Sequence, residues 1–556
     1  MKKYIHFIYL MLLLGCIAPL NSCDEEAFLK ENPKDDSFAE NLFTDYNGFL
    51  SAKYALLNVP RQERREMIQS AELGLIWKIG TDTGYANTEL SWTRGLNRYN
   101  VDLNPTMQFL NGDVSNSAKQ GIFLILYSAI SAANMIIHRA EEPEINWMGT
   151  DAEGDERNKN EIIAHARLIR AWCYRHLSMT FGPVPLSTEE IDGTNYRDDW
   201  ERTPVADIQA LMESDLLFAE TWLPDNANDV TRLSRVIAQH YLAELYLWQN
   251  RPEDAESKAR AVVDNPNFKL ITQRYGVQLS EPGCPYMDQF KNGNILPSQG
   301  NSEGLWIFPN SEVDDLLGRY TNTMRRTWVS AYNALNVAYS PEYGGRGLGR
   351  AGVTAWAFTI YEPQDDRYSN HAIRRKYVTT SGQTVVCDST KDKMGQPIGG
   401  NNQWMSLRKW DWTFDNPERY NESYSYADQT YLRLADTYLL LAEALFRQGK
   451  NSAADGAAYY INRIRTRSNA TPIAEAQVTL DFILDERARE LLTEECRRET
   501  LYRTGTLVER TRKYNHIASG ERDGLEGMQD YHVLLPIPQK VIDANVKRKM
   551  ENNYGY

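Results

Sequence analysis

LADTYLLLAEALFRQGKNSAA at residues 434–454 and RVIAQHYLAELYLWQNRPEDA at residues 235–255 align without a gap: Leu242-Ala243-Glu244, Gln249 and Ala255 fall on Leu441-Ala442-Glu443, Gln448 and Ala454. In each, apolar residues recur at helical spacing, a short polar turn follows, and a second segment opens on small residues. Small side chains at that place let two antiparallel helices approach closely, so each stretch predicts a helical hairpin.

The same periodicity runs through Ile122–Arg139, Glu161–Phe181, Ala206–Trp222, Leu233–Gln249, Pro252–Val263, Tyr431–Gln448, Ala453–Arg467 and Leu480–Arg498. Gly182-Pro183, Thr203-Pro204, Leu223-Pro224 and Gly449 supply stop and start signals. The expected fold is mainly α, a scaffold of tetratricopeptide-like hairpins, which run to about 34 residues each. The hairpins lie far apart in the chain, so the simplest arrangement is one stacked array interrupted by long insertions. Scaffold is expected at about 36–80, 113–267 and 429–500, and insertions at about 81–112 and 268–428. The insertions are rich in Gly, Asn, Ser, Pro, Tyr and Trp, with strand-like pieces at Leu305-Trp306-Ile307-Phe308 and Thr384-Val385-Val386-Cys387. Long loops on a rigid scaffold commonly carry function, so the ligand site is expected there.

Composition narrows the function. Sixty-one Lys and Arg against 75 Asp and Glu give a formal charge of −14, whereas polyanion binding needs a cation surplus, which argues against nucleic acid as the main partner. The chain is 42% hydrophobic, too apolar for a disordered one. Its 32 Tyr, 16 Phe and 13 Trp mean that either the core is aromatic or some rings face a ligand. Trp172, Trp248 and Trp306 sit in apolar patterns and read as core. Six cysteines without a Cys-x-x-Cys pair are too few for a disulfide scaffold and give no zinc or redox motif. Cys173, inside a helical apolar pattern, reads as a small core residue.

Catalytic patterns fare poorly. Gly300-Asn301-Ser302-Glu303-Gly304 matches a nucleophile elbow by letter, but the strand pattern follows the serine instead of preceding it. Gly347-Leu348-Gly349-Arg350-Ala351-Gly352 lacks the leading strand of a dinucleotide fingerprint and reads as a loop. Asp485, Glu486, Glu490, Glu494 and Glu495 interleave with Arg487, Arg489, Arg497 and Arg498, the pattern of an exposed, salt-bridged helix face. No histidine pair has helical zinc spacing. Asp151, Glu153 and Asp155 alternate like part of a calcium loop without its glycine, so a structural calcium has little support and no cofactor is expected.

The amino terminus is an export signal. Met1-Lys2-Lys3 is followed by an apolar run from Tyr4 to Leu14, too short to span a bilayer, and then by Leu20-Asn21-Ser22-Cys23-Asp24-Glu25-Glu26. The latter resembles a bacterial lipobox, with residues 1–22 as signal peptide and Cys23 as the lipidated first residue of a single domain, 23–556. Leu13-Leu14-Gly15-Cys16 matches by pattern too, but Cys23 closes the whole hydrophobic region. No later segment approaches membrane-spanning length, so the mature chain is expected to be soluble but tethered.

These pieces together resemble the SusD/RagB outer-membrane nutrient-binding lipoproteins of Bacteroidetes. The resemblance runs from Gly80-Thr81-Asp82, Tyr127, Ala133-Asn134 and Arg170-Ala171-Trp172-Cys173-Tyr174 through Phe181-Gly182-Pro183-Val184-Pro185-Leu186. It continues through Arg433-Leu434-Ala435-Asp436, Asn462-Arg463-Ile464-Arg465, Asp485-Glu486-Arg487 and Arg503-Thr504-Gly505 to Leu535-Pro536-Ile537-Pro538 and the terminal Asn553-Tyr554. Cys496 departs from a frequent Gly, and Asn553-Tyr554 from Asn-Pro. The resemblance implies a non-enzymatic, surface-facing lipoprotein of the cell outer membrane that captures oligosaccharides for a SusC-like TonB-dependent transporter. A peptide ligand in the same system, or a glycoside hydrolase with a carboxylate pair, are the alternatives. Sugar rings pack on aromatic faces, and hydroxyls need charged or amide partners. Asp82, Tyr85, Trp92, Arg94, Tyr99 and Asn100 in the first insertion, where the family places part of its glycan site, are therefore candidate ligand contacts. Tyr320, Arg325, Trp328 and Tyr332 form a second group, the last three on one face if that stretch is helical. For each of these, burial in the loop's own core is the competing reading.

Overall fold

The computed structural model describes residues 42–68, 71–87, 91–99, 103, 121–191, 194–225, 229, 231–310, 321–387, 405–411, 417–422, 424–520 and 527–556. Its principal helices are α1 (Tyr46–Leu57), α2 (Ser91–Arg98), α3 (Ile122–Arg139), α4 (Ala152–Phe181), α5 (Val205–Trp222), α6 (Arg235–Trp248), α7 (Pro252–Val263), α8 (Met324–Trp328), α9 (Leu434–Arg447), α10 (Ala457–Arg467), α11 (Leu480–Glu490), α12 (Arg497–Arg503) and α13 (Leu507–Tyr514).

The hairpins α6–α7 and α9–α10, far apart in sequence, stack on each other through α7 and α9. Their turns match in detail. Asn250 and Gly449, equivalent in the alignment, both take positive φ, at 58° and 72°. In each the next amide reaches back five residues, Arg251 N to Tyr246 O and Lys450 N to Leu445 O. Arg447 donates to Leu247 O at 2.8 Å and Gln448 to Glu256 Oε2 at 2.9 Å, which seals one hairpin onto the other. On the other side α6 packs on α5, α5 on α4 and α4 on α3, so the array is continuous.

Three boundaries differ from the periodicity. Helix α4 starts at Ala152 because Asp151 caps it and Glu153 pairs with Arg157, although residues 152–160 carry no apolar stripe. Residues Tyr431–Arg433, expected to open a helix, instead belong to strand β10 (Gln429–Arg433), paired antiparallel with β4 (Gly304–Phe308), and α9 begins only at Leu434. The predicted helix Leu480–Arg498 breaks after Glu490, with Thr493 at φ 65°. Helix α3, moreover, is long and apolar enough to cross a membrane by length and composition; half of it is buried in this fold, against α4 and α1.

The insertions are stitched on by two-stranded sheets. Besides β4–β10 and the scaffold pair β1 (Glu66–Ile68) and β2 (Ala71–Glu72), β3 (Gly84–Ala86) pairs with β5 (Ala351–Val353), β6 (Ile373–Arg374) with β9 (Ser406–Leu407), and β7 (Lys376–Val378) with β8 (Thr384–Val386). Trp172, Trp306 and Cys173 are buried, and Trp248 packs at the core's edge.

The run Asp485 to Arg498 is paired, as expected, but buried instead of exposed. Glu486, Glu490 and Arg498 have no accessible surface. Glu490 accepts from Arg467, from Arg433 at 3.0 Å and from Arg367 at 3.1 Å. Glu303, from the serine motif, accepts from Arg433 at 2.7 Å and Arg467 at 3.0 Å. Glu486 accepts from Arg367 at 2.7 Å and Arg465 at 2.9 Å, while Lys409 donates to Glu494 and to the Glu490 and Leu492 carbonyls. The Tyr286 ring lies 5.2 Å from the Arg467 guanidinium, and the Phe290 ring 5.1 Å from Lys409 Nζ, so part of the aromatic surplus covers buried cations. Burial alone would raise the Glu490 carboxyl, but Arg467, Arg433 and Arg367 bring it down to about 2.

Removing one member of such a cluster strands the others. Glu490→Ala should cost about 3–5 kcal/mol in urea denaturation. A carboxyl held below its unfolded value stabilises fully above that value and loses the contribution as pH falls toward the folded one. The urea midpoint should therefore hold between about pH 5 and 7 and drop between about pH 4.5 and 2, and that drop should shrink in Glu490→Gln.

Candidate functional site

Most of the residues singled out in the sequence hold the protein together. Asp82 has no accessible surface and accepts from Arg497 at 2.8 and 2.7 Å and from Arg510 at 2.9 Å. Burial alone would raise its carboxyl; the two guanidiniums hold it below the ordinary aspartate value. Tyr85 is 1% exposed on β3, edge-on to His516, and Tyr99 is 2% exposed, donating to Gly80 O at 2.9 Å and accepting from Arg498 at 2.6 Å. Gly80 sits at φ 64°, where a Cβ would meet Leu96 O at 2.1 Å, so this corner admits only glycine. Arg94 is exposed on α2, the helix that also carries Trp92, whose side chain lies outside the described residues, as do Asn100, Tyr320 and Cys23.

The second group is also reassigned. Helix α8 ends at Trp328, so Arg325, Trp328 and Tyr332 do not continue one helical face. Trp328 is 4% exposed, and Tyr332 is buried, stacked on Tyr377 and donating to Gly345 O at 2.8 Å. Arg325, also buried, donates to the Glu422, Arg419 and Tyr424 carbonyls and so fixes the loop bearing Tyr424 and Tyr426, the former 39% exposed. These corrections share one cause: in a long loop with its own core, the largest side chains are what the core is built from.

Two other motifs resolve simply. Ser302 Oγ donates to Lys269 O at 2.9 Å, and a strand follows it, the reverse of an elbow. Asp151 and Asp155 accept from the amides of Gly154 and Gly149 at the start of α4.

A cleft of about 450 Å³ opens in the second insertion, among Glu281, Lys291, Glu342, His371, Arg408 and Asp411, with Met287 and Phe290 behind them. Its walls are anchored in the buried ionic cluster. Arg408 and Asp411 flank Lys409, which ends on Glu494, and Trp410, whose Nε1 donates to Thr493 Oγ1 at 3.0 Å. Lys291 follows the short helix Pro285–Asp288, in which Tyr286 donates to Glu490 O at 2.9 Å. His371 follows Arg367, itself clamped by Asp365 and Glu486. Inside the cleft, Arg408 Nε donates to Asp411 at 3.0 Å and Arg374 to Asp411 at 2.7 and 3.2 Å. Burial, then Arg408 and Arg274, lower the His371 pKa, so at neutral pH its ring is an uncharged donor and acceptor. The arrangement offers fixed hydrogen-bonding groups, and Asp411 is taken up by two guanidiniums. These residues are spread from 281 to 411 without period, so no motif marked them.

The SusD family model matches residues 319–556, and a model described as starch-binding associating with outer membrane matches residues 87–247. "SusD-like protein P2" of Formosa agariphila is 25% identical over 100% of both chains. The "Starch-binding protein SusD" of Bacteroides thetaiotaomicron is 35% identical over 29% of this chain and 27% of its own. Among solved structures, a "Laminarin binding SusD-like protein" aligns over 92% of this chain and 99% of its own, with TM-score 0.65 and 18% identity. A SusD homolog from Bacteroides thetaiotaomicron aligns over 93% and 98%, with TM-score 0.67 and 19% identity, so both share the fold. Over residues 319–556 the chain thus matches the SusD family model, and over its whole length it is similar to SusD-like proteins.

Proposed function

We propose that this protein captures saccharides at the outer membrane and passes them to a SusC-like TonB-dependent transporter without chemical reaction. The observation that carries the reading is the polar cleft in the second insertion, whose walls are pinned by buried charges. A preorganised set of charged and imidazole groups, with the Gln278 amide beside them, suits a polyhydroxylated ligand, because little ordering is left to be done on binding. The relatives named for starch and laminarin support the same ligand class. Signal peptide 1–22 and a lipid on Cys23 would tether domain 23–556 to the membrane surface. A capture role of this kind needs neither a catalytic carboxylate pair nor a cofactor.

Calorimetric titration of the full chain in detergent against a panel of glycans and peptides tests the reading. Binding of at least one glycan is expected, and His371→Ala should weaken it about tenfold, the worth of about 1.4 kcal/mol. A peptide pool that binds while every glycan fails would overturn it. In cells, Cys23→Ala should move the protein out of the membrane fraction and abolish incorporation of labelled palmitate; retained label would assign the anchor to another residue.

A further inference from the structure

The cleft has a charge pattern that the whole chain, at −14, does not share. Two carboxylates, Asp411 in its wall and Asp288 buried behind Lys291, are each shared by two cations. Asp288, with no accessible surface, accepts from Arg274 Nε at 2.6 Å and from Lys291 Nζ at 2.8 Å. Asp411 is met by Arg374 beneath it, through two bonds at 2.7 and 3.2 Å, and by Arg408 at 3.0 Å from the open side. Arg374 alone satisfies Asp411 in a bidentate pair, which leaves the Arg408 charge in excess; likewise one carboxylate at Asp288 cannot balance both of its partners.

The cations in excess are also the ones within reach. The side chains of Arg408 and Lys291 are 35% and 18% accessible, against 9% for Arg374 and 0% for Asp288. Glu281 and Glu342 oppose them, but both are exposed at the rim, where water and salt screen them, while the groups around Asp288 and Asp411 are partly desolvated and their field persists. His371 senses the result: after burial, Arg408 and Arg274 act against its protonation, with Lys291 in the same sense and Asp366 alone opposing.

We infer that the cleft selects acidic saccharides, whose carboxylate or sulfate lies between Arg408 and Lys291 while a neighbouring hydroxyl meets the His371 ring. The inference rests on the saccharide-capture reading and names the ligand class for that same cleft. Arg408 supplies planar, directional donors and Lys291 a compact charge, a combination that fits either oxyanion.

Calorimetry on the full chain in detergent separates the cases, with an oligogalacturonate, a sulfated galactan oligosaccharide, a neutral glucan of equal length and an oligoglutamate peptide as probes. At low salt the uronate or the sulfated probe should bind at least ~10-fold tighter than the neutral glucan, and should weaken as salt rises. Arg408→Gln and Lys291→Gln should each remove that preference, while Arg408→Lys retains most of it and the melting temperatures stay close to the parent's. Equal or tighter binding of the neutral glucan overturns the acidic class and leaves saccharide capture standing. Acidic-probe binding that ignores both variants overturns the cleft assignment, and oligoglutamate bound in place of every saccharide overturns both readings.

Discussion

Glu490 is a carboxylate with no path to water, held by three arginines from three parts of the chain: Arg367 in the second insertion, Arg433 at the end of β10 and Arg467 at the end of α10. An ion pair this deep has little margin. Desolvation opposes every charge in it, so the group is tolerable only when each charge has its full set of partners. The insertion must therefore close on the scaffold in one register, or leave charges unpaired in the interior. Apolar loops could pack in many ways; a network of buried charges that share hydrogen bonds fits in very few.

The cleft inherits its shape from that constraint. Each wall is a few residues from a member of the buried cluster: Arg408 and Asp411 beside Lys409, Lys291 beyond Tyr286, His371 beyond Arg367. Surface loops normally keep conformational freedom that a ligand must remove on binding. Here the ordering has been accomplished in folding, and the exposed ends of the same segments present fixed charges to the cleft. The aromatic surplus divides accordingly into core rings such as Trp172, rings over buried cations such as Tyr286, and partly exposed ones such as Tyr424.

The stacked hairpins serve as the frame for this. Two helical units that repeat in sequence meet in space although the second insertion separates them, because each leaves an apolar face that only another hairpin covers. Asn250 and Gly449 show that the repeat extends to backbone geometry, since the tight exit from each helix needs a left-handed residue and asparagine and glycine are the two that adopt it with least strain.

Local spacing and ordered motifs along the chain are enough to read most of the helices, the hairpin repeat, the short strands at Leu305–Phe308 and Thr384–Val386, and the resemblance to the SusD/RagB proteins. The sequence also showed that the charges from Asp485 to Arg498 are paired. The folded arrangement adds that they are buried, that Gln429–Arg433 is a strand, that Asp82, Tyr99, Arg325 and Tyr332 serve the interior, and that Lys291, His371 and Arg408 come together. Spacing states which residues share a face, but whether that face meets water or another segment depends on contacts more than a hundred residues away, such as that of Arg367 with Glu486.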